Sequence, residues 1–480
     1  MKRTLRRAII VLLIIANLFS LASCGGSKDD DRSKVDYLAD YEVIETPGVR
    51  MPSEFEPSSM IMMCYPIMMP ISVYKTIAED NQILLLVNYG DGKVSRIEQA
   101  KKDFIEAGVN MDHVTFLDMA LDEDYAAWAR DFSPFYVFRD NVLSVTDFTY
   151  NRPLRVQQNG VPEQLAEFLG VPYCKMDIVH TGGNLMQDGR GTAFSDDLVI
   201  TENGNDREKV LGQMKEYTGT DNYVITIDPQ GDYIAHIDCW AKIVAPDKII
   251  VASVPETNER YSYYETVADV LGNTKCVYGY NYRIYRIEEP GGETLAPYTN
   301  SLIANGHVYM PLGTDKEYNE KALAVYREAL PGYEVVGVEA FDYYYDEYYD
   351  EWYGRFLNTD ALHCRTHEVP DRDMLFIDSR DVYNGAVPLK DHYLVKTNVV
   401  SYSKSEVEEK DVVIYYSING GAYQKSNMSR YKDTTNFTYV FENLKSGDDV
   451  KYYIEAADSS SNRAVDPSCG EKDPHHFTVQ

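Results

Sequence analysis

The sequence predicts an α/β or α+β domain over residues 36–388 and an immunoglobulin-like β-sandwich over residues 389–480. Three observations lead there. Short apolar runs of strand length alternate with stretches of helical period through the first of these regions. Beyond it the helical period disappears, and aromatic and β-branched runs follow one another with polar turns between. The composition, 44% hydrophobic and 25% charged, is that of a globular chain.

In chain order, Gln82-Ile83-Leu84-Leu85-Leu86-Val87 is continuous apolar sequence of strand length. Val94, Ile97, Ala100, Phe104 and Ala107 recur at helical spacing and predict a helix over 94–107. Leu198-Val199-Ile200-Thr201 and Lys248-Ile249-Ile250-Val251-Ala252 predict two more buried strands. A helix over 316–330 stops at Pro331-Gly332, which cannot continue it. In the C-terminal region, Val412-Val413-Ile414-Tyr415-Tyr416-Ser417-Ile418 is a strand, and Asn419-Gly420 behind it signals a two-residue hairpin. Residues 437–441 and 450–456 are further strands. No fixed-period repeat is visible, so any internal symmetry is structural only.

The amino terminus reads as a processing signal. Lys2, Arg3, Arg6 and Arg7 precede an apolar run from Ala8 to Leu21 that is too short to span a bilayer. Leu21-Ala22-Ser23-Cys24-Gly25 resembles the lipobox of bacterial lipoproteins. The resemblance implies a signal peptide over 1–23 and lipidation of Cys24. Residues 24–35 then form a flexible tether holding an exported protein to a membrane. The 76 acidic residues against 46 basic ones exclude the basic surface that nucleic-acid binding needs, and favour cationic ligands. The acidic excess also permits a structural Na⁺ or Ca²⁺. Cys64, Cys174, Cys239, Cys276, Cys364 and Cys469 show no metal-site spacing, so a zinc site is not expected.

Five segments carry the functional signal. They are Met51-Pro52-Ser53-Glu54-Phe55-Glu56-Pro57, Trp128-Ala129-Arg130-Asp131, Thr181-Gly182-Gly183-Asn184, His236-Ile237-Asp238 and Leu362-His363-Cys364. In this order they resemble the agmatine deiminase and bacterial peptidylarginine deiminase family, and Porphyromonas-type peptidylarginine deiminase most closely. The resemblance implies a five-bladed α/β propeller with Cys364 as nucleophile, and it places Asn300 beside the sulfur.

The chemistry suits these residues. A guanidinium is a planar, delocalised cation and a poor electrophile, so attack on its carbon calls for a thiolate. Carboxylates must hold it in bidentate geometry, a task for Asp131 and Asp238. An imidazole must protonate the departing ammonia and then activate water, a task for His236. Two-residue spacing would put His236 and Asp238 on one face of a strand and turn Cys239 to the other. Trp128 would cover the guanidinium face. His307, His363, His367, His475 and His476 are taken as structural, and Gly182-Gly183 as a tight backbone passage. The tyrosine- and carboxylate-rich run over 341–353 is a loop over the pocket or a surface segment without substrate contact.

The expected activity is hydrolysis of peptide arginine, C-terminal arginine above all, to citrulline and ammonia. The expected partners are arginine-bearing peptides or proteins, the enzyme is monomeric, and catalysis needs no cofactor. Arg152 and Arg155 support the peptide substrate: the resembled enzyme uses such arginines to hold a C-terminal carboxylate, although Leu154 departs from its spacing. Agmatine deiminase is the nearest alternative. A non-catalytic surface protein that binds arginine-rich peptides, or a cysteine hydrolase of peptide bonds, would each leave part of the constellation unexplained.

Overall fold

The structure is a computed structural model that describes residues 38, 41–89, 94–119, 121, 127–290, 296–340, 344–346, 351–353 and 356–480. Cys24, the signal segment and the tether lie outside the described residues. Residues up to Pro370 contain five small mixed sheets among the described residues, built on one plan. An antiparallel pair is followed by a helix, which returns the chain to a strand parallel to the second. The second sheet pairs Phe135–Arg139 with Val142–Tyr150, then crosses through the helix Val161–Leu169 to Tyr173–His180. The third uses Met186–Gln187, Thr192–Asp196, the helix Arg207–Thr218 and Asn222–Thr226. The fourth uses Ala241–Ala245, Lys248–Ser253, the helix Tyr261–Gly272 and Arg283–Glu288. The fifth uses Leu302–Ala304, His307–Pro311, the helix Lys316–Ala329 and Glu334–Val338.

The first sheet is completed from both ends of this region. Ser58–Tyr65 runs parallel to Ile83–Asn88 and antiparallel to His367–Pro370, more than 300 residues later. A recurrent unit therefore exists without a recurrent sequence, because only its strand and helix periods are repeated. The parallel strands read as unbroken apolar runs because both their faces are covered: all of Ile83–Asn88 is buried.

Two sheets follow. Leu375–Asp378, His392–Ser401, Asn436–Glu442 and Ser429–Arg430 form one. Gly385–Val387, His475–Val479, Asp449–Ala457, Val412–Ile418, Gln424–Asn427 and Arg463–Asp466 form the other. They share an apolar core that includes Ile377, Tyr393, Phe437, Ile414, Ile454 and Phe477. The first strands of both sheets lie ahead of residue 389. From Val43 to Gln480 the chain is one compact unit, in which Tyr278 donates to Asp466 (2.6 Å) and Lys248 and Arg283 both pair with Asp473 (2.7 Å).

Three local readings change. Leu198–Thr201 is a short helix, not a strand, since Asp196 Oδ1 accepts from the Leu198 N–H and only Val199 is buried. The helix expected over 94–107 begins at Ile97, whose N–H is taken by Ser95 Oγ (3.3 Å). Asn419 and Gly420 do form a turn with positive φ, but Val412–Ile418 and Gln424–Asn427 pair only as far as Tyr416 and Gln424. The other edge of Val412–Ile418 pairs with Asp449–Ala457 along its whole length, and the hairpin loop beyond Tyr416 is longer than two residues. In the tyrosine-rich run, Tyr344–Asp346 and Glu351–Tyr353 are antiparallel strands, and its other residues lie outside those described.

Candidate active site

Four of the five singled-out segments, and Asn300 with them, occupy one structural position, immediately ahead of the first strand of an antiparallel pair. Asp131 lies in a short helix, Ala129–Phe132, before the second sheet, and Gly182–Asn184 turns into the third. His236 and Asp238 precede the fourth sheet, Asn300 the fifth, and Cys364 the return strand of the first. The repeated plan thus delivers one polar turn per sheet to a common place.

Cys364 is buried in the 3₁₀ turn His363–Arg365. Asn300 holds that turn by its Oδ1, which accepts from the N–H groups of His363 (2.9 Å) and Cys364 (3.3 Å). Its Nδ2 points at the sulfur from 3.3 Å. Asp238 Oδ2 lies 3.8 Å from the sulfur and 2.7 Å from His363 Nδ1. A thiol–thiol hydrogen bond from Cys239 pulls the Cys364 pKa down, but burial and the carboxylates of Asp238, Asp131 and Asp360 outweigh it and leave it raised.

Asp131 and His236 form the other half. They are buried, His236 Nδ1 stands 3.7 Å from Asp131 Oδ1, and that oxygen and both imidazole nitrogens have no hydrogen-bond partner among the described residues. Two adjacent side chains thus present three polar atoms able to take a polar group. Burial and the Asp238 charge push the Asp131 carboxyl up to about 8, against the opposing pull of Arg152 and Arg155. Burial, with the Arg152 cation, pushes His236 down to about 3, so the imidazole is neutral. Gly182 and Gly183 are the tight passage expected. A Cβ on Gly182 would collide with the Arg130 carbonyl, and one on Gly183 would reach into His236 and Asp131.

The Trp128 ring is not left open for a substrate on both faces: the Arg155 guanidinium sits 4.4 Å from its centroid and also reaches Tyr150 OH (3.4 Å). Arg152 is half-buried, and its charge acts on Asp131, His236 and Glu202. His236 and Asp238 do not share a strand face. They flank and enter a 3₁₀ turn, Ile237–Cys239, where alternation does not apply. Cys239 accordingly lies inside the site, with its thiol 3.5 Å from Asp238 Oδ1.

Sequence reasoning missed the charged bed beneath. His363, taken as structural, bridges Asp238 and Glu54, with Nε2 2.9 Å from Glu54 Oε2. Glu54 pairs with Lys242 (2.6 Å), and Arg130 bonds Glu368 (2.7 Å) rather than its neighbour Asp131. Lys242 was the available signal, a single cation inside the apolar run 239–245. Among the described residues, no group of three or more His, Cys, Asp or Glu side chains is arranged to hold a metal ion. All six described cysteines are free.

The sequence model of Porphyromonas-type peptidyl-arginine deiminase matches residues 50–370. A Photobacterium profundum protein carrying the name "Putative agmatine deiminase" is 24% identical over 378 residues, which cover 67% of this chain and 96% of that protein. The agmatine deiminase of Medicago truncatula is 23% identical over 280 residues, 48% of this chain and 74% of its own. Among solved structures, agmatine deiminase of Enterococcus faecalis superposes with a TM-score of 0.56 at 19% identity, covering 68% of this chain and 96% of that one. A Porphyromonas gingivalis structure carrying the name "Putative Arginine Deiminase" superposes with a TM-score of 0.55 at 20% identity, covering 68% of this chain and 99% of that one. With that match spanning more than half of its length, the chain belongs to the Porphyromonas-type peptidyl-arginine deiminase family, which with the agmatine deiminases makes up a group of hydrolases acting on guanidino C–N bonds.

Proposed function

We propose that the chain is a cysteine-dependent deiminase of a small guanidino amine of the agmatine type, exchanging one guanidino nitrogen for oxygen and releasing ammonia. The observation that carries the chemistry is the set of unpartnered buried atoms, Asp131 Oδ1 and the two His236 nitrogens, in one site with the Cys364 thiol. Asp131 and Asp238 hold the guanidinium, and the Cys364 thiolate attacks its central carbon. His236, neutral at rest, takes the Cys364 proton as the sulfur attacks and gives it to the departing ammonia as the C–N bond breaks; it then takes a proton from the water that attacks the thiouronium carbon and returns it to the freed sulfur. Asn300 orients the sulfur through its amide and the turn through its carbonyl. The names of the curated relatives support the small amine better than a peptide.

A second reading, hydrolysis of peptide arginine to citrulline, is favoured by Arg152 and Arg155. Two cations acting on Asp131 would repel the free ammonium of agmatine and suit a carboxylate. One experiment decides: ureido product and ammonia are measured from agmatine, from peptides ending in Arg, from the same peptides amidated, and from peptides with internal Arg. Agmatine turned over faster than every peptide supports the first reading. Free-carboxylate peptides turned over fastest, with about a ten- to hundredfold loss on amidation that Arg152→Ala abolishes, supports the second. Cys364→Ser must silence all of them, and residual turnover near the parent level refutes both.

The five sheets of one plan and the return strand support a closed five-bladed propeller, and the shared core of the last two sheets supports an immunoglobulin-like sandwich. We read the protein further as a monomeric lipoprotein anchored through Cys24. Labelling with a radioactive fatty acid, lost in Cys24→Ala, tests the anchor. Because two carboxylates balance the substrate's charge, turnover should be indifferent to EDTA.

A further inference from the structure

Beneath the reacting groups lies a chain of buried contacts that the chemistry above does not use. His363 Nδ1 is 2.7 Å from Asp238 Oδ2, and its Nε2 is 2.9 Å from Glu54 Oε2. Glu54 is itself immobilised, since its Oε1 accepts from the Ile303 N–H (2.6 Å) and its Oε2 from Lys242 Nζ (2.6 Å). Lys242 Nζ also donates to the Ser301 carbonyl (2.7 Å). The His363 backbone is tied to Asn300 through both its Oδ1 and its carbonyl. His363, Asp238, Lys242 and Asn300 are all buried.

The contacts constrain the protons. A neutral imidazole has one N–H, yet two carboxylates approach its two nitrogens at hydrogen-bonding distance. Burial and the neighbouring Arg130 and Lys242 cations push the His363 imidazole down, while its contact with Asp238 pulls the other way. Nδ1–H directed at Asp238 Oδ2 leaves Nε2 facing Glu54 Oε2, the atom that the Lys242 ammonium also approaches. A buried polar group left half-satisfied would be costly, and Lys242 supplies Glu54 Oε2 with a donor. The constraint falls on Asp238. A carboxylate in a short 3₁₀ turn is otherwise free to rotate about its last bond, and a bidentate grip on a planar guanidinium depends on that rotation.

We propose that His363 is a positioning residue: its Nδ1–H fixes the plane of the Asp238 carboxylate toward the substrate's guanidinium, with Glu54 and Lys242 holding the imidazole from behind. This rests on the reading that Asp238 receives the guanidinium and Cys364 attacks it. The role is separable from mere packing, because an Asn amide reaches the place of the His Nδ1 and a Gln amide the place of Nε2. His363→Asn keeps the donor to Asp238, whereas His363→Gln keeps only the reach to Glu54.

The test does not need turnover. Cys364 is alkylated with 2-chloroacetamidine or with 2-chloroacetamide, its thiolate displacing chloride in each case. The two rates are read at the Cys364 peptide by mass spectrometry, and melting temperatures are taken in parallel. The wild type prefers the amidine, whose cation mimics the guanidinium. In His363→Gln that preference falls about a hundredfold, as expected for a misplaced anchoring group, while His363→Asn keeps it within about tenfold. With a substrate in hand, the same split appears in kcat and spares KM. Equal losses in the two variants, in step with their melting temperatures, or an unchanged preference in His363→Gln, overturn the proposal. No amidine preference in the wild type overturns the proposed guanidinium site, and this inference falls with it.

Discussion

Gly183→Ala tests the geometry of the site without replacing a reacting group. Gly183 does not occupy the left-handed region, so its backbone accepts alanine, and the effect is steric. The new Cβ would lie 2.5 Å from His236 Nδ1, 2.8 Å from Asp131 Oδ1 and 3.1 Å from His236 Cε1. Ordinary contact begins near about 3.5 Å, so the imidazole must retreat by about 1 Å. A displacement of that size from a near-attack arrangement costs about a hundredfold in rate. In activation free energy that is about 2.7 kcal/mol. Overpacking should lower stability by about 1–3 kcal/mol, leaving the protein folded at assay temperature. The assay is ureido product at saturating substrate, paired with a thermal melt. Gly182→Ala is the contrast, because its Cβ meets the Arg130 carbonyl and should prevent folding. Wild-type kcat in a folded Gly183→Ala protein would mean that His236 is not where the proton is transferred.

The Asp131 carboxyl, pushed up to about 8, must ionise against a guanidinium, so binding at pH 7 should release about one proton; calorimetry in two buffers of different ionisation enthalpy measures it. The same carboxyl holds its proton more tightly folded than unfolded, where its pKa is about 3.9. It therefore lowers stability progressively between about pH 4 and about pH 8, and Asp131→Asn should flatten the fall of melting temperature across that window. Lys242→Met leaves buried Glu54 only the more distant Arg130 cation, 3.8 Å away, and should cost about 3–5 kcal/mol by urea unfolding, part of which Glu54→Gln in the same chain restores. Cys239→Ala removes the thiol–thiol hydrogen bond that lowers the Cys364 pKa, so the midpoint of the pH dependence of Cys364 alkylation should move upward.

What was legible in the sequence follows the period of each signal. Apolar runs buried on both faces, such as Ile83–Asn88 and Lys248–Ser253, announce themselves because nothing polar interrupts them. The helix Lys316–Ala329 is legible for the opposite reason, its one-sided pattern and its proline-glycine stop. Short 3₁₀ turns have no period long enough to see, which is why His236 and Asp238 were placed on a strand and Cys239 turned away from the site. Glu54 and His363 stood in the segments that carried the family resemblance. Their partners, however, are separated by 309 residues in sequence, and no local pattern encodes such a contact. Leu198–Thr201 misled because four apolar residues suit a strand or a helical turn equally, and the Asp196 carboxylate that accepts from the Leu198 N–H belongs to the strand before it.

The pairing of His367–Pro370 with Ser58–Tyr65 has a consequence for biosynthesis. Cys364 meets Asn300 across 64 residues and Asp238 across 126. A nascent chain that has emerged through the fifth sheet already carries Asp131, His236, Asp238, Cys239 and Asn300, yet it lacks the Cys364 sulfur and has an unpaired edge on Ser58–Tyr65. The strand that covers this edge follows the thiol by three residues, so arming the site and sealing the first sheet are one event. Late, long-range closure of this kind is slow for topological reasons. A chain ending before Cys364 also lacks that thiol, and its exposed Ser58–Tyr65 edge would mark it for aggregation or proteolysis.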